Sequence, residues 1–231
     1  MKHDVSLTLP WMREGTKHFL AVVESLSDSD FRTDSRLPGW SKAHVVGHVA
    51  RNAEALTRLA TWARTGMETP MYADRSQRAA EIEESAALPP QELRKSLVDS
   101  AQRLDSELGR LEPGGWTAQV RSALGRTIPA AEVPWMRIRE VWLHATDLGS
   151  DTLFDGIPEG VVDLLLDDVC ANLSGKDGCP SVTVAPADRN TEWRLGAGDP
   201  GATAHGRAAG LVGWVTGRLP RPDLPPLPGW L

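Results

Sequence analysis

Cysteine is nearly missing from these 231 residues: Cys170 and Cys179 are the only two, too few for a disulfide framework in a chain of this length. A reducing compartment follows, and the expected location is the cytoplasm. Tyrosine occurs once, at Tyr72, and phenylalanine three times, so aromatic packing falls to nine tryptophans, most of them expected in the core. Long apolar runs are missing as well. No stretch approaches the roughly 18 uninterrupted apolar residues of a membrane span. The opening MKHDVSLTLPWMREG lacks the apolar core and small-residue cleavage site of an export signal. A soluble protein with no membrane partner is expected. Blocks of basic charge are absent too: 31 Asp and Glu outnumber 25 Lys and Arg, and the net charge of -6 leaves no electrostatic footprint for nucleic acid. Ordinary core material is plentiful. A hydrophobic share of 41% suffices for one large domain or two modest ones.

Proline and glycine divide this material into helices. Residues 5 to 26 carry apolar side chains at helical spacing, and RLPGW at 36 to 40 breaks the chain after them. Ser41 is then an N-cap for KAHVVGHVARNAEALTRLATWARTG, in which Val45, Val49, Ala53, Leu56, Ala60 and Ala63 share one face. The polar stretch from 67 to 88 is less regular, with room for a short helix. Pro89 and Pro90 open a third long helix with an apolar row of Leu93, Leu97, Ala101, Leu104 and Leu108, ended by EPGGW. Pro134 lies in the first turn of a fourth, which stops at Gly149. The pattern predicts a mainly α protein: a four-helix bundle over residues 1–150, then a small α+β domain over 151–231. The second part reads as a helix at 158–173, two strand-like runs, SVTVAP and TEWRLG, and a further helix, AHGRAAGLVGWVTGRL. Its last eleven residues, rich in proline, should lie against the surface as an extended arm.

The fourth helix holds an unusual strip, in RIREVWLHATDLG at 137 to 149. At about 100° per residue, Ile138, Val141, Trp142, Ala145 and Leu148 face the core. Arg137, Glu140, His144 and Asp147 fill a sector of roughly 80°, and Met136 and Leu143 are apolar again beyond it. A face turned to solvent would be wider and continuously polar, so the strip suits a cavity inside the bundle. Glu140 and His144 stand at i and i+4, about 5–6 Å apart at Cβ, which lets them share one ion. Zinc suits these donors, but a catalytic zinc normally takes three protein ligands and keeps one position open, so another helix must contribute. Helix two offers His44 and His48. His48 lies about 100° from the centre of the apolar stripe and His44 some 40° farther toward solvent, which favours His48. Spacing alone also describes a hydrogen-bonded surface pair, the commoner use of the pattern. His3, His18 and His205 have no comparable partners and read as structural or exposed.

The stretches LPGWSKAHVVGHVARN, REVWLHATDLG and GRAAGLVGWVTGR together resemble the mycothiol-dependent maleylpyruvate isomerase family over nearly the whole chain. The resemblance implies a DinB-like bundle with a zinc site built from a histidine several residues after a tryptophan and from a Glu-x-x-x-His pair. Trp40, His48, Glu140 and His144 match those places. It implies a binding role for Arg218, in TGR, at the mouth between the domains; Arg78 lies in the less regular segment that could cover the site, and Arg78 and Arg218 are the candidate catalytic arginines, Arg218 also for the thiol. Arginine suits a dianionic keto acid because its planar fork matches a carboxylate; the alternative for each is a solvated surface pair worth about 0–1 kcal/mol. Asp147 is expected behind the metal, accepting the remaining N–H of a ligand histidine, or else in an ion pair at the helix end. The implied cofactors are zinc or another divalent metal, with mycothiol as cosubstrate. The implied chemistry converts maleylpyruvate to fumarylpyruvate in the gentisate route of aromatic degradation: a zinc-bound thiolate adds to the cis double bond, the saturated bond turns, and elimination returns the thiol. Neither cysteine of the chain looks suited to supply that sulfur. Two other functions remain open at this point, a mycothiol S-transferase and a non-enzymatic small-ligand-binding bundle. A monomer is expected.

Overall fold

The Asp4 carboxylate accepts the amide of Ser6 and so starts α1 (Val5–Ser25), along which Met12, Gly15, Phe19 and Val22 recur toward the core. The coordinates are a computed structural model that describes residues 3–149 and 154–230. They divide the chain into two units, Met1–Ser150 and Asp151–Leu231.

In the first unit, α2 (Lys42–Thr65) opens on a reciprocal cap. The Ser41 hydroxyl accepts the His44 amide, and the His44 ring accepts the Ser41 amide in return. Gly66, at φ 74°, closes the helix in the left-handed conformation that costs glycine least. The stretch expected to be less regular contains α3 (Arg75–Ala86), a full helix whose first turn is capped by the Asp74 side chain on the Gln77 amide. α4 (Pro90–Leu108) buries Leu93, Leu97, Ala101, Leu104 and Leu108, and α5 (Val133–Asp147) carries Pro134 in its first turn, where a missing amide is harmless. Between α4 and α5 runs an antiparallel hairpin, β1 (Gln119–Arg121) with β2 (Thr127–Pro129), in the register Val120↔Ile128. Strands of three residues are too short for alternation to announce them in the sequence. α2 packs on α3, α4 and α5, and α1 packs on α4 and α5.

The second unit places α6 (Glu159–Ser174) and α7 (Ala208–Val215) with a three-stranded sheet of order β4-β3-β5. The central β3 (Val182–Pro186) pairs antiparallel with β4 (Trp193–Leu195) and parallel with β5 (Ala202–Gly206). β5 corrects the reading of AHGRAAGLVGWVTGRL as one helix. Residues 202 to 206 carry no large apolar side chain, and their extended state comes from the backbone ladder with β3, so the helix begins only at Ala208. The proline-rich end is tied down: the Lys176 ammonium donates to the carbonyls of Gly229 and Trp230, and the Trp230 side chain is buried. No described helix is long and apolar enough to cross a membrane.

Close approach of α1 to α5 depends on one glycine. A Cβ at Gly15 would stand 2.5 Å from Trp142 Nε1 and 2.7 Å from Val141 Cγ2. Trp142 has little room to yield, since its ring is stacked on His18 at 4.9 Å. Gly15→Ala is therefore expected to lower stability by about 1–3 kcal/mol, the usual cost of overpacking. Urea unfolding followed by circular dichroism measures this, and an unchanged midpoint would show that Trp142 moves aside without cost.

Candidate metal centre

Two helices converge their polar residues on one point. The cap at Ser41 sets the phase of α2, so that His48, two turns in, turns inward and is 4% exposed. On α5 the spacing of four puts Glu140 and His144 on successive turns of one face, with His144 9% exposed and the Glu140 side chain more open at 22%. Glu140 Oε2 lies 2.8 Å from His48 Nε2 and 3.2 Å from His144 Nε2. The two imidazole rings stand nearly perpendicular, 4.9 Å between centroids. One donor atom from each of the three residues falls within 4.8 Å of the others.

Tetrahedral zinc with bonds of about 2.0–2.2 Å separates its ligand atoms by about 3.3 Å, so this donor set fits a divalent ion with small adjustment. The surroundings fit as well. His144 Nδ1 is 2.8 Å from the wholly buried Asp147 carboxylate, which engages the Nδ1 proton and turns Nε2 toward Glu140. Trp40 meets the His48 ring edge-on at 5.5 Å and forms part of the wall. His44, the other histidine of α2, points elsewhere: its ring is engaged by Ser41 and by Glu83 at 3.2 Å.

The ionisations are coupled. Burial opposes charge on Glu140, yet the charge of His48 and the hydrogen bonds of both imidazoles hold its carboxyl well below the ordinary range. Burial drives His48 down against the pull of Glu140. Burial would lower His144 too, but its bonds to Asp147 and Glu140 outweigh it and raise the value.

Residues 12–149 match the model of the mycothiol maleylpyruvate isomerase N-terminal domain. A crystal structure of the mycothiol-dependent maleylpyruvate isomerase superposes with a TM-score of 0.89 at 34% identity, covering 94% of this chain and 90% of that one. A histidine-to-alanine mutant of that isomerase matches at 33% identity with the same TM-score and coverage. The chain belongs to the mycothiol-dependent maleylpyruvate isomerase family. No curated protein sequence gives a significant match.

Against this family membership, the expected residues fall into place unequally. His48, Glu140, His144 and Asp147 are brought together. Arg78 lies on α3, with Nη2 3.4 Å from His48 Nδ1, at the rim of the same site. Arg218 belongs to the second unit, just past α7, where Nη1 donates to the Thr216 carbonyl at 3.3 Å. Of the other histidines, His3 is buried against Glu132 and stacked on Trp135, and His205 is exposed.

Three residues near the centre carried no assignment in the sequence. Tyr72 is half-buried, which pushes its phenol up; Arg78 stands within hydrogen-bond reach, and the charge of Glu140 is felt there. Its being the only tyrosine was the one available signal. Asn52, 4% exposed, accepts from Arg137, which is 1% exposed. Burial lowers Arg137 to about 10, still protonated at neutral pH, with Glu140 and Tyr72 acting to raise it.

His48→Ala is expected to abolish stoichiometric zinc binding, while His44→Ala retains it; elemental analysis of the two purified variants decides, and equal loss would reject His48 as the third donor. Asp147→Asn should weaken zinc affinity about ten- to a hundredfold through misorientation of His144, measured by competition with a chromophoric chelator.

Proposed function

We propose that this chain isomerises maleylpyruvate to fumarylpyruvate with mycothiol as cosubstrate, in the gentisate route of aromatic degradation in the cytoplasm, and that His48, Glu140 and His144 hold zinc or another divalent metal. The observation that carries the reading is the convergence of these three donors from α2 and α5, backed by Asp147, in a member of this family. A divalent ion held there supplies a positive centre at which a thiol persists as thiolate near neutral pH.

The chain's own residues account for the rest. Glu140 is held as the anion by its two imidazole neighbours, and Asp147 engages the far nitrogen of His144, so that the His144 Nε2 faces the centre beside Glu140. Arg78 can only donate to His48 Nδ1, a contact that puts the ring proton on Nε2, facing Glu140. His48 would hold a cation through Nε2 only as the opposite tautomer, whose N–H would oppose the guanidinium. Arg78, at the rim of the site, would then be available to a substrate carboxylate. Arg218 is the second arginine assigned to the dianionic keto acid and to the thiol.

The sulfur must come from outside. Burial pushes the Cys170 thiol up to about 12 and raises Cys179 as well, so neither offers thiolate at neutral pH. A cis double bond turns only when its π bond is removed. Thiolate addition does this, and elimination after rotation restores the alkene and returns the thiol unchanged. That balance separates the isomerase from the S-transferase alternative, in which the thiol is consumed. The ligand-binding alternative would leave the complete donor set without a use.

The test is an absorbance assay of maleylpyruvate loss with and without mycothiol, together with titration of free thiol. Turnover dependent on mycothiol with constant free thiol is expected; stoichiometric thiol loss would establish a transferase, and no reaction of either kind would sink the reading. Arg218→Ala should reduce turnover at least tenfold with zinc content unchanged, and wild-type kinetics would remove it from the site.

A further inference from the structure

Arg137 has no part in the chemistry described so far, yet it is among the most deeply buried side chains of the first unit. An interior guanidinium is costly, and an apolar side chain of similar volume would pack there with no charge to desolvate. Its hydrogen bonds cross from α5 to α2. Nη1 donates to the Val49 carbonyl at 2.6 Å and to Asn52 Oδ1 at 3.0 Å. Val49 follows His48 directly, and Asn52 lies one helical turn beyond it. On the other helix Arg137 stands one turn before Glu140 and two before His144. The bridge thus joins the two donor-bearing helices close to the donors on each.

From this geometry we infer that Arg137 and Asn52 form a positioning pair, which fixes the backbone of α2 at Val49 against α5 and so holds His48 where one divalent ion can take it together with Glu140 and His144. The inference rests on the metal-centre reading above. Three donors from two helices serve one ion only if their atoms are held within about 0.5 Å of the productive arrangement, and that demands a tie between the helices near the donors. The Val49 carbonyl has a second lone pair for the tie beyond its helical bond. Nε and Nη2 of Arg137 are buried with no protein partner, so Nη1 alone carries the bridge.

Charge and clamp act in opposite directions. A buried cation repels a divalent ion, while the clamp favours its binding, so removing both at once would confuse them. Arg137→Lys keeps the charge and loses the planar geometry of the fork. Asn52→Leu removes half of the acceptor pair without touching charge.

The experiment loads each full-length variant with cobalt(II) and reads the dissociation constant and the visible ligand-field bands. Arg137→Lys is expected to bind cobalt(II) about ten- to a hundredfold more weakly, with altered bands. Asn52→Leu should move the same way, and the double variant should be no weaker than the weaker single, because the two residues make one contact. Leu97→Ala, a core substitution on α4, which carries none of the three donors, should lower the melting temperature while keeping wild-type affinity and bands. Wild-type affinity and bands in Arg137→Lys would overturn the inference, as would strictly additive losses in the double variant. If Arg137→Lys does not fold, Asn52→Leu decides by the same two readouts. A wild-type chain that binds no cobalt(II) would reject the metal centre itself, a result distinguishable from failure of the positioning pair.

Discussion

A carboxylate shared between two imidazoles inside a helical bundle is the interaction around which the first unit is organised. Glu140 lies within hydrogen-bond distance of His48 on α2 and close to His144 on its own helix. In a medium of reduced dielectric such a group is stable as an anion only while its partners stay in place. The requirement passes outward from there. His144 is held by Asp147, His48 is walled by Trp40, and α5 is pressed against α1 at a glycine, where a methyl group would collide with Trp142.

The distribution of buried polar groups follows from that constraint. His48, Asn52, Arg137, His144 and Asp147 are all buried on α2 and α5, whereas the buried residues of α6 are all apolar and α4 buries only Ser100 and Glu107 beside its aliphatic row. A bundle built for stability alone would fill the α2–α5 contact with leucine and valine, because paired buried charges seldom repay their desolvation. Local violations of the apolar-core rule, gathered at one helix contact, are the physical mark of a site. The capping box of α2 belongs to the same logic: it uses the His44 ring for the helix end and leaves His48 for the interior.

The long helices were legible in the sequence because their apolar residues recur at helical spacing between proline and glycine boundaries. All five positions of the Leu93 to Leu108 row are buried, as are Val45, Val49, Ala53 and Leu56 on α2. The β1–β2 hairpin and β5 were not legible. Each is stabilised by a partner strand and carries too few side chains for a period to show. α3 was underestimated for a related reason: its residues are mostly polar, so no apolar stripe announced it, and the Asp74 cap gives it a defined start. In the site, the spacing of Glu140 and His144 pointed to a shared ligand, and the angular position of His48 separated it from His44. Tyr72, Asn52 and the bridging use of Arg137 left no comparable trace.

The sequence by itself determined what depends on neighbours within about one or two helical turns: caps, amphipathic faces, and the pair of donors on α5, all fixed by a rise and rotation per residue that no distant contact alters. Tertiary structure decided what depends on the approach of one element to another. It chose which face of α2 meets α5, brought Arg78 to His48 from a separate helix, and gave Arg137 a backbone carbonyl as its partner. A carbonyl is present at every residue, so no amino-acid pattern can single out the one at Val49; only the packing of two helices does.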